Sequence, residues 1–112
     1  MTATVEEVLA RLAAEGLLSD ARFAETYVCS RVQRGCGPLR IRDELRARGV
    51  DQALIDDRLH AFDDRWREQI ERVRSKRFGP AMPVDFRERA RQMRFLQQRG
   101  FTPEQIHDLL GD

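Results

Sequence analysis

The side chains best equipped for chemistry in this 112-residue chain are its arginines; of 20 basic residues only Lys76 is a lysine. They are unevenly placed. Residues 65–99 hold 11 basic against four acidic side chains, a net +7, whereas residues 1–64 and 100–112 each carry a net −3. Arg87, Arg91 and Arg94 are spaced four and three apart, which puts them along one side of a helix. Arg65, Arg72 and Lys76 fall along one side of the preceding helical stretch. A guanidinium is a planar, permanently charged fork that matches phosphate and carboxylate groups. Two such stripes can track a phosphate backbone or meet an acidic protein surface. Tyr27, Arg31 and Arg34 form a smaller second set. Glu68, Glu71 and Glu88 stand at helical spacing from some of these cations and dilute their field.

Other chemistries find little support. His60 and His107 are solitary and have no Cys or Ser at a motif spacing, so the chain is read as a non-enzyme with no catalytic residues. Cys29 and Cys36 have no partner at zinc-ligand spacing and are read as reduced thiols, with no metal and no cofactor implied. Gly35-Cys36-Gly37-Pro38 lacks the Lys-Ser/Thr ending of a phosphate-binding loop and reads as helix punctuation. Asp56, Asp57, Asp63 and Asp64 are spread along a helical stretch, unlike a cation loop. Trp66 and Tyr27 can stack on bases, but both lie in apolar stripes and are expected in the core. No apolar run is long enough to span a bilayer, and residues 1–7 lack the pattern of a signal peptide, so a cytoplasmic location is expected.

The elements that must position the arginines repeat. Leu45-Arg46-Ala47-Arg48-Gly49-Val50-Asp51-Gln52-Ala53-Leu54-Ile55 aligns without a gap on Leu96-Gln97-Gln98-Arg99-Gly100-Phe101-Thr102-Pro103-Glu104-Gln105-Ile106. Leu12, Gly16 and Leu17 begin a shorter upstream copy. In each, an amphipathic helix stops at a glycine, an apolar residue follows, and Asp51 or Thr102 caps the next helix. Such self-similarity marks stacked helical units that bury their apolar faces on one another. The expected fold is all-α, with tandem three-helix repeats in an elongated, curved array. The expected division is a remnant of a first repeat over 1–17 and three-helix repeats over 18–62 and 63–112.

Within that plan, Thr4 and Glu7 form a capping box for a first helix that ends at Gly16, with Val5, Val8, Leu9 and Leu12 inward. A second helix starts at Ser19 or Asp20 and runs to about Arg34, burying Phe23, Ala24, Tyr27, Val28 and Val32. A third, 38–48, buries Leu39, Ile41 and Leu45. The stripe Ile55, Leu59, Phe62, Trp66, Ile70 and Val73 is one long helix or two; a corner near Asp63-Asp64 is favoured because the repeat needs one. A linker at 79–83 leads to a helix over 85–99 that buries Phe86, Ala90, Met93 and Leu96. The last helix buries Ile106, Leu109 and Leu110.

With the repeats in view the chain resembles the RecX family of regulators of the RecA recombinase. The resemblance runs from about Val8 to Leu110. It rests on Gly16-Leu17-Leu18-Ser19-Asp20, Arg22-Phe23-Ala24, Tyr27, Arg34-Gly35, Gly37, Ile41, Glu44-Leu45 and Arg48-Gly49-Val50. At the other end it rests on Arg89-Ala90-Arg91-Gln92-Met93-Arg94-Phe95-Leu96, Arg99-Gly100-Phe101 and Ile106. It implies a protein that binds RecA or RecA filaments on single-stranded DNA and lowers strand exchange, ATP hydrolysis and SOS-repressor cleavage. It also implies DNA, single- or double-stranded, as a further partner. Family members usually carry a complete first repeat, whereas here only its last helix is expected. The rival reading is a DNA-binding helical module without a RecA partner.

Overall fold

The structure, a computed structural model, describes residues 4–111. Six helices follow one another: α1 (Val5–Gln33), α2 (Pro38–Ala47), α3 (Gln52–His60), α4 (Trp66–Phe78), α5 (Phe86–Arg99) and α6 (Pro103–Leu110). No strand occurs among the described residues. The molecule measures 73 × 19 × 18 Å, with a radius of gyration of 19.0 Å. A compact chain of this size would have about 13–14 Å, so the array is elongated. Residues 1–3 and 112, at the outer ends of the expected segments 1–17 and 63–112, lie outside the described residues, as does the Leu17 side chain.

Helices α2 and α3 pack on each other and on α1, while α4, α5 and α6 pack together as a second group. Ile41, Leu45, Ile55 and Leu59 fill the first group; Ile70, Leu96, Phe101, Ile106 and Leu110 fill the second. One buried cluster runs through both, with Trp66 edge-on to Phe101 at 6.5 Å. The aligned repeats have the same physical cause. After α2 the amides of Gly49 and Val50 donate back to Arg46 and Leu45; after α5 those of Gly100 and Phe101 donate back to Gln97 and Leu96. Gly49 (φ 82°) and Gly100 (φ 100°) take the left-handed conformation that this stop requires. Asp51 and Thr102 then cap α3 and α6, Thr102 through a full capping box with Gln105. The corner between α3 and α4 falls at residues 61–65, around Asp63-Asp64.

Several expectations are corrected. Gly16 does not end a helix: α1, 29 residues in all, runs unbroken through it, and Gly16 is not among the positive-φ glycines. Gly49 and Gly100 are each followed two residues later by a capping side chain, whereas Leu18 stands in that place after Gly16. With no cap to start a new helix, the old one continues. The amino-terminal half of α1 thus projects, leaving Val5, Val8, Leu9 and Leu12 between 43% and 75% exposed. Phe23, Leu39 and Phe86 are also exposed where burial is expected, Phe86 by 83%.

The two groups meet backbone to backbone. The Gly37 amide donates to the Arg99 carbonyl at 2.8 Å, and the Leu39 amide donates to the Gly100 carbonyl at 2.9 Å. A Cβ on Gly37 would lie 2.4 Å from the Gly100 carbonyl carbon, and a Cβ on Gly100 would lie 2.4 Å from Arg40 Cβ. Only glycines permit this approach. Gln69 adds a hydrogen bond from Nε2 to the Val32 carbonyl at 2.8 Å, tying α4 to the end of α1.

Candidate functional site

The clamp between Gly37 and Gly100 leaves a cleft where the last turn of α1 faces α4 and the last turn of α5. It encloses ≈ 590 Å³ and is lined by Gln33, Arg34, Gly35, Arg72, Val73, Lys76, Arg77, Phe95, Gln98 and Arg99. Five of these carry positive charge and none is acidic. No ion pair is formed by Arg34, Arg72, Lys76, Arg77 or Arg99 among the described residues. The carboxyl ends of α1 and α5, the negative poles of their helix dipoles, offset part of the repulsion among these cations.

Aromatic rings hold several of the guanidinium groups in place. Phe78 and Phe95 meet edge-on at 5.3 Å. Arg77 lies 5.9 Å from the Phe78 ring and 5.7 Å from the Phe95 ring, Arg91 lies 5.1 Å from Phe78, and Arg99 lies 5.5 Å from Phe95. This gives a ladder of Arg91, Phe78, Arg77, Phe95 and Arg99 along the α4–α5 seam. Each contact contributes about 0.5–1 kcal/mol at an exposed site. More important for binding, it limits the rotamer freedom lost when an anion is captured. With two guanidinium groups on it, the Phe95 ring serves as an arginine platform. Arg72 is fixed otherwise: Nε donates to Gln69 Oε1 at 2.8 Å and Nη2 donates to the Val32 carbonyl at 3.4 Å.

The residues named from sequence are distributed unequally. Arg34, Arg72 and Lys76 are brought together in the cleft. Arg65 lines an adjoining recess of ≈ 350 Å³ that shares Gln33 and Arg72 with the cleft, and its guanidinium sits 5.8 Å from the Phe62 ring. Arg87, Arg91 and Arg94 are exposed on α5; Arg91 is paired with Glu88 at 3.0 Å. Hydrogen bonds from Gln92 and Arg91 hold the Glu88 carboxyl below its ordinary pKa. Tyr27 and Arg31 are turned to another task. The Tyr27 hydroxyl donates to Glu44, Arg31 Nη2 donates to the same carboxylate at 2.7 Å, and Arg40 Nε does so at 3.1 Å. Burial opposes ionisation of Glu44, but these three donors outweigh it and lower its pKa. Burial first, and then Glu44, raises the Tyr27 pKa; the hydrogen bond to Glu44 raises that of Arg31. Arg48 lies over the Tyr27 ring at 5.0 Å. These groups fasten α1 to α2.

Sequence reasoning missed Phe95 and Arg99 and gave Arg77 no role. Arg91, Phe95 and Arg99 recur every fourth residue, a signal of an Arg–Phe–Arg stripe on one helix face. It was obscured because Arg99 belongs to the helix-ending Arg-Gly pair.

Residues 19–59 match the family description "RecX, second three-helix domain", and residues 63–110 match "RecX, third three-helix domain". The chain belongs to the RecX family. Among its RecX relatives, the regulatory protein RecX of Halorhodospira halophila is 52% identical over 102 residues, covering 91% of this chain and 63% of that protein. The regulatory proteins RecX of Pseudomonas fluorescens and of Pseudomonas syringae pv. tomato are 45% and 43% identical over 107 residues, covering 96% of this chain and 69% of each relative. The chain thus spans about two thirds of the length of the RecX proteins it matches. The two matched RecX domains correspond to the helix groups on either side of the cleft. No helix among the described residues is long and apolar enough to cross a membrane.

Proposed function

We propose that this RecX-family chain is a cytoplasmic, non-enzymatic regulator that binds RecA filaments on single-stranded DNA and restrains their recombinase, ATPase and SOS-coprotease activities. The observation that carries this reading is the junction cleft, where five cations converge without a carboxylate and three are ordered against aromatic rings or backbone. A filament offers what such a surface needs: repeated anionic groups along a groove many times longer than one protein. An elongated array that touches more than one protomer gains affinity from summed weak contacts. In this reading Arg34, Arg72, Lys76, Arg77 and Arg99 form the inner contact, Arg65 extends it, and Arg87, Arg91 and Arg94 supply the outer field. The domain division 1–17, 18–62 and 63–112 is part of the same proposal.

Two charge variants test it. Arg34→Gln/Lys76→Gln/Arg99→Gln empties the cleft of three cations whose side chains form no hydrogen bond or ion pair among the described residues. Arg87→Glu/Arg91→Glu/Arg94→Glu reverses the outer stripe. The expected result is loss of filament binding by the first and a slower association by the second, both with native helicity. Unchanged filament binding by the folded cleft variant would contradict the assignment. The absence of carboxylates from the cleft also favours a second reading, a DNA-binding module with no recombinase partner. On naked single strands each neutralised phosphate contributes about 0.7 to the log–log salt slope. Tight, salt-steep DNA binding with no gain on RecA-coated strands would select that reading.

A further inference from the structure

At the far end of α4 from the α3–α4 corner, the chain exposes what it ordinarily hides. Met82, Val84 and Phe86 are 47%, 93% and 83% exposed, and they fall within five residues on the α4–α5 loop and the first position of α5. Soluble proteins scatter single apolar residues over their surfaces, but a dense group on one loop marks a contact site. The loop is also braced from within. Arg74 is 1% exposed and has no ion-pair partner among the described residues. Its Nη2 donates to the Pro80 carbonyl and its Nη1 to the Ala81 carbonyl, both at 3.2 Å, while Nη1 also reaches Gln92 Oε1 at 3.4 Å. Burying a guanidinium without a carboxylate is costly. Here two of its three hydrogen bonds go to carbonyls of the loop that carries Met82 and Val84, while its buried Nε has no hydrogen-bond partner among the described residues. Asp85 closes the other end by accepting from the Glu88 amide at 2.7 Å. Pro80 and Pro83 stiffen the interval.

We infer that Met82, Val84 and Phe86 form a preorganised apolar prong that docks into a protein partner's apolar recess bordered by carboxylates. This deepens the filament reading and rests on it: the cleft meets the anionic backbone, and the prong meets the protein that coats it. The partner chemistry follows from the neighbours. Exposed Arg87 and, two turns further on, Arg94 follow Phe86 on α5 and form no ion pair among the described residues, while the Asp85 carboxylate between Val84 and Phe86 is turned onto the Glu88 amide, so the α5 side of the rim is cationic. An aromatic and a methionine beside arginines is the composition of an interface hot spot. Nucleic acid fits less well, because Met82 and Val84 offer neither charge nor a ring face. A bilayer fits less well too, because three side chains at a loop tip are a weak anchor where stable attachment takes two strong signals. A braced loop forfeits little entropy on binding, so a small prong is effective.

The test is Met82→Ser/Val84→Ser/Phe86→Ser in the full chain, compared with the wild type on RecA filaments preassembled on single-stranded DNA and on the naked strand. The expected result is filament affinity weakened by roughly tenfold or more, chiefly through faster dissociation, with naked-strand affinity and helicity unchanged. Equal filament affinity for the two proteins would overturn the prong while leaving the filament reading standing. A wild type that fails to bind filaments at all would overturn both. Sedimentation and flotation with anionic vesicles assign the remaining occupants. A wild-type dimer that becomes monomeric in the variant gives the prong to a second copy, and prong-dependent flotation gives it to a bilayer; either result overturns the inference.

Discussion

Glu44 shows how one carboxylate can absorb residues that look functional. Tyr27 and Arg31 have the composition of a binding patch, yet both donate to Glu44 and hold α1 against α2. The Glu44 pKa lies below its ordinary 4.5 in the folded chain. A carboxyl so depressed stabilises the fold fully above its unfolded pKa, and that contribution is lost as pH falls through the folded value. Stability should therefore drop on acidification below 4.5, in part through Glu44. Glu44→Gln should cost about 1–2 kcal/mol at neutral pH and show a shallower acid limb in urea titrations across that range. An acid limb identical to the wild type would contradict the assignment. Composition revealed the cationic character of residues 65–99 directly, because charge needs no geometry to be counted. It did not reveal which arginines act together. Arg74 and Arg77 look alike on paper, yet one is buried beneath a loop and the other lines the cleft. That difference arises from how α5 lies on α4, a long-range fact that local spacing does not contain.

At the scale of elements, the glycines separate what was legible from what was not. Gly49 and Gly100 could be read as helix stops because each carries its confirmation two residues later, in Asp51 and Thr102. Gly16 lacks that confirmation, and α1 runs through it. Gly16→Ala should therefore raise stability by about 0.5–1 kcal/mol, since a Cβ there meets nothing within 4 Å. A loss of stability would show a left-handed stop after all. The opposite is expected at the junction: Gly100→Ala should cost about 2–4 kcal/mol, because it combines φ 100° with a Cβ 2.4 Å from Arg40. A urea midpoint within error of wild type would contradict the clamp. Helical periodicity found the six helices' apolar faces but could not say which are covered. Val8 and Leu12 stand four and eight residues after the Thr4 cap, as Ile55 and Leu59 do after Asp51 and Ile106 and Leu110 after Thr102. The latter four are at most 7% exposed, whereas Val8 and Leu12 are 43% and 57% exposed. The pattern is the same; only the neighbours differ.

Across the whole molecule, two three-helix groups are locked at a glycine contact, and the cationic cleft lies in the angle that the lock creates. The cleft is therefore a property of the pair, assembled from α1, α4 and α5. The tandem plan was visible in the aligned repeats, while the site between the repeats was not, because no single repeat contains it. The most direct test of the account is the steady-state ATPase rate of RecA on single-stranded DNA, titrated with the wild type and with Arg34→Gln/Lys76→Gln/Arg99→Gln. Inhibition by the wild type at substoichiometric protein, abolished in the folded variant and not relieved by excess free DNA, is the predicted result. Equal inhibition by both proteins, or none by either, would contradict the claim that this cleft is how the chain engages a filament.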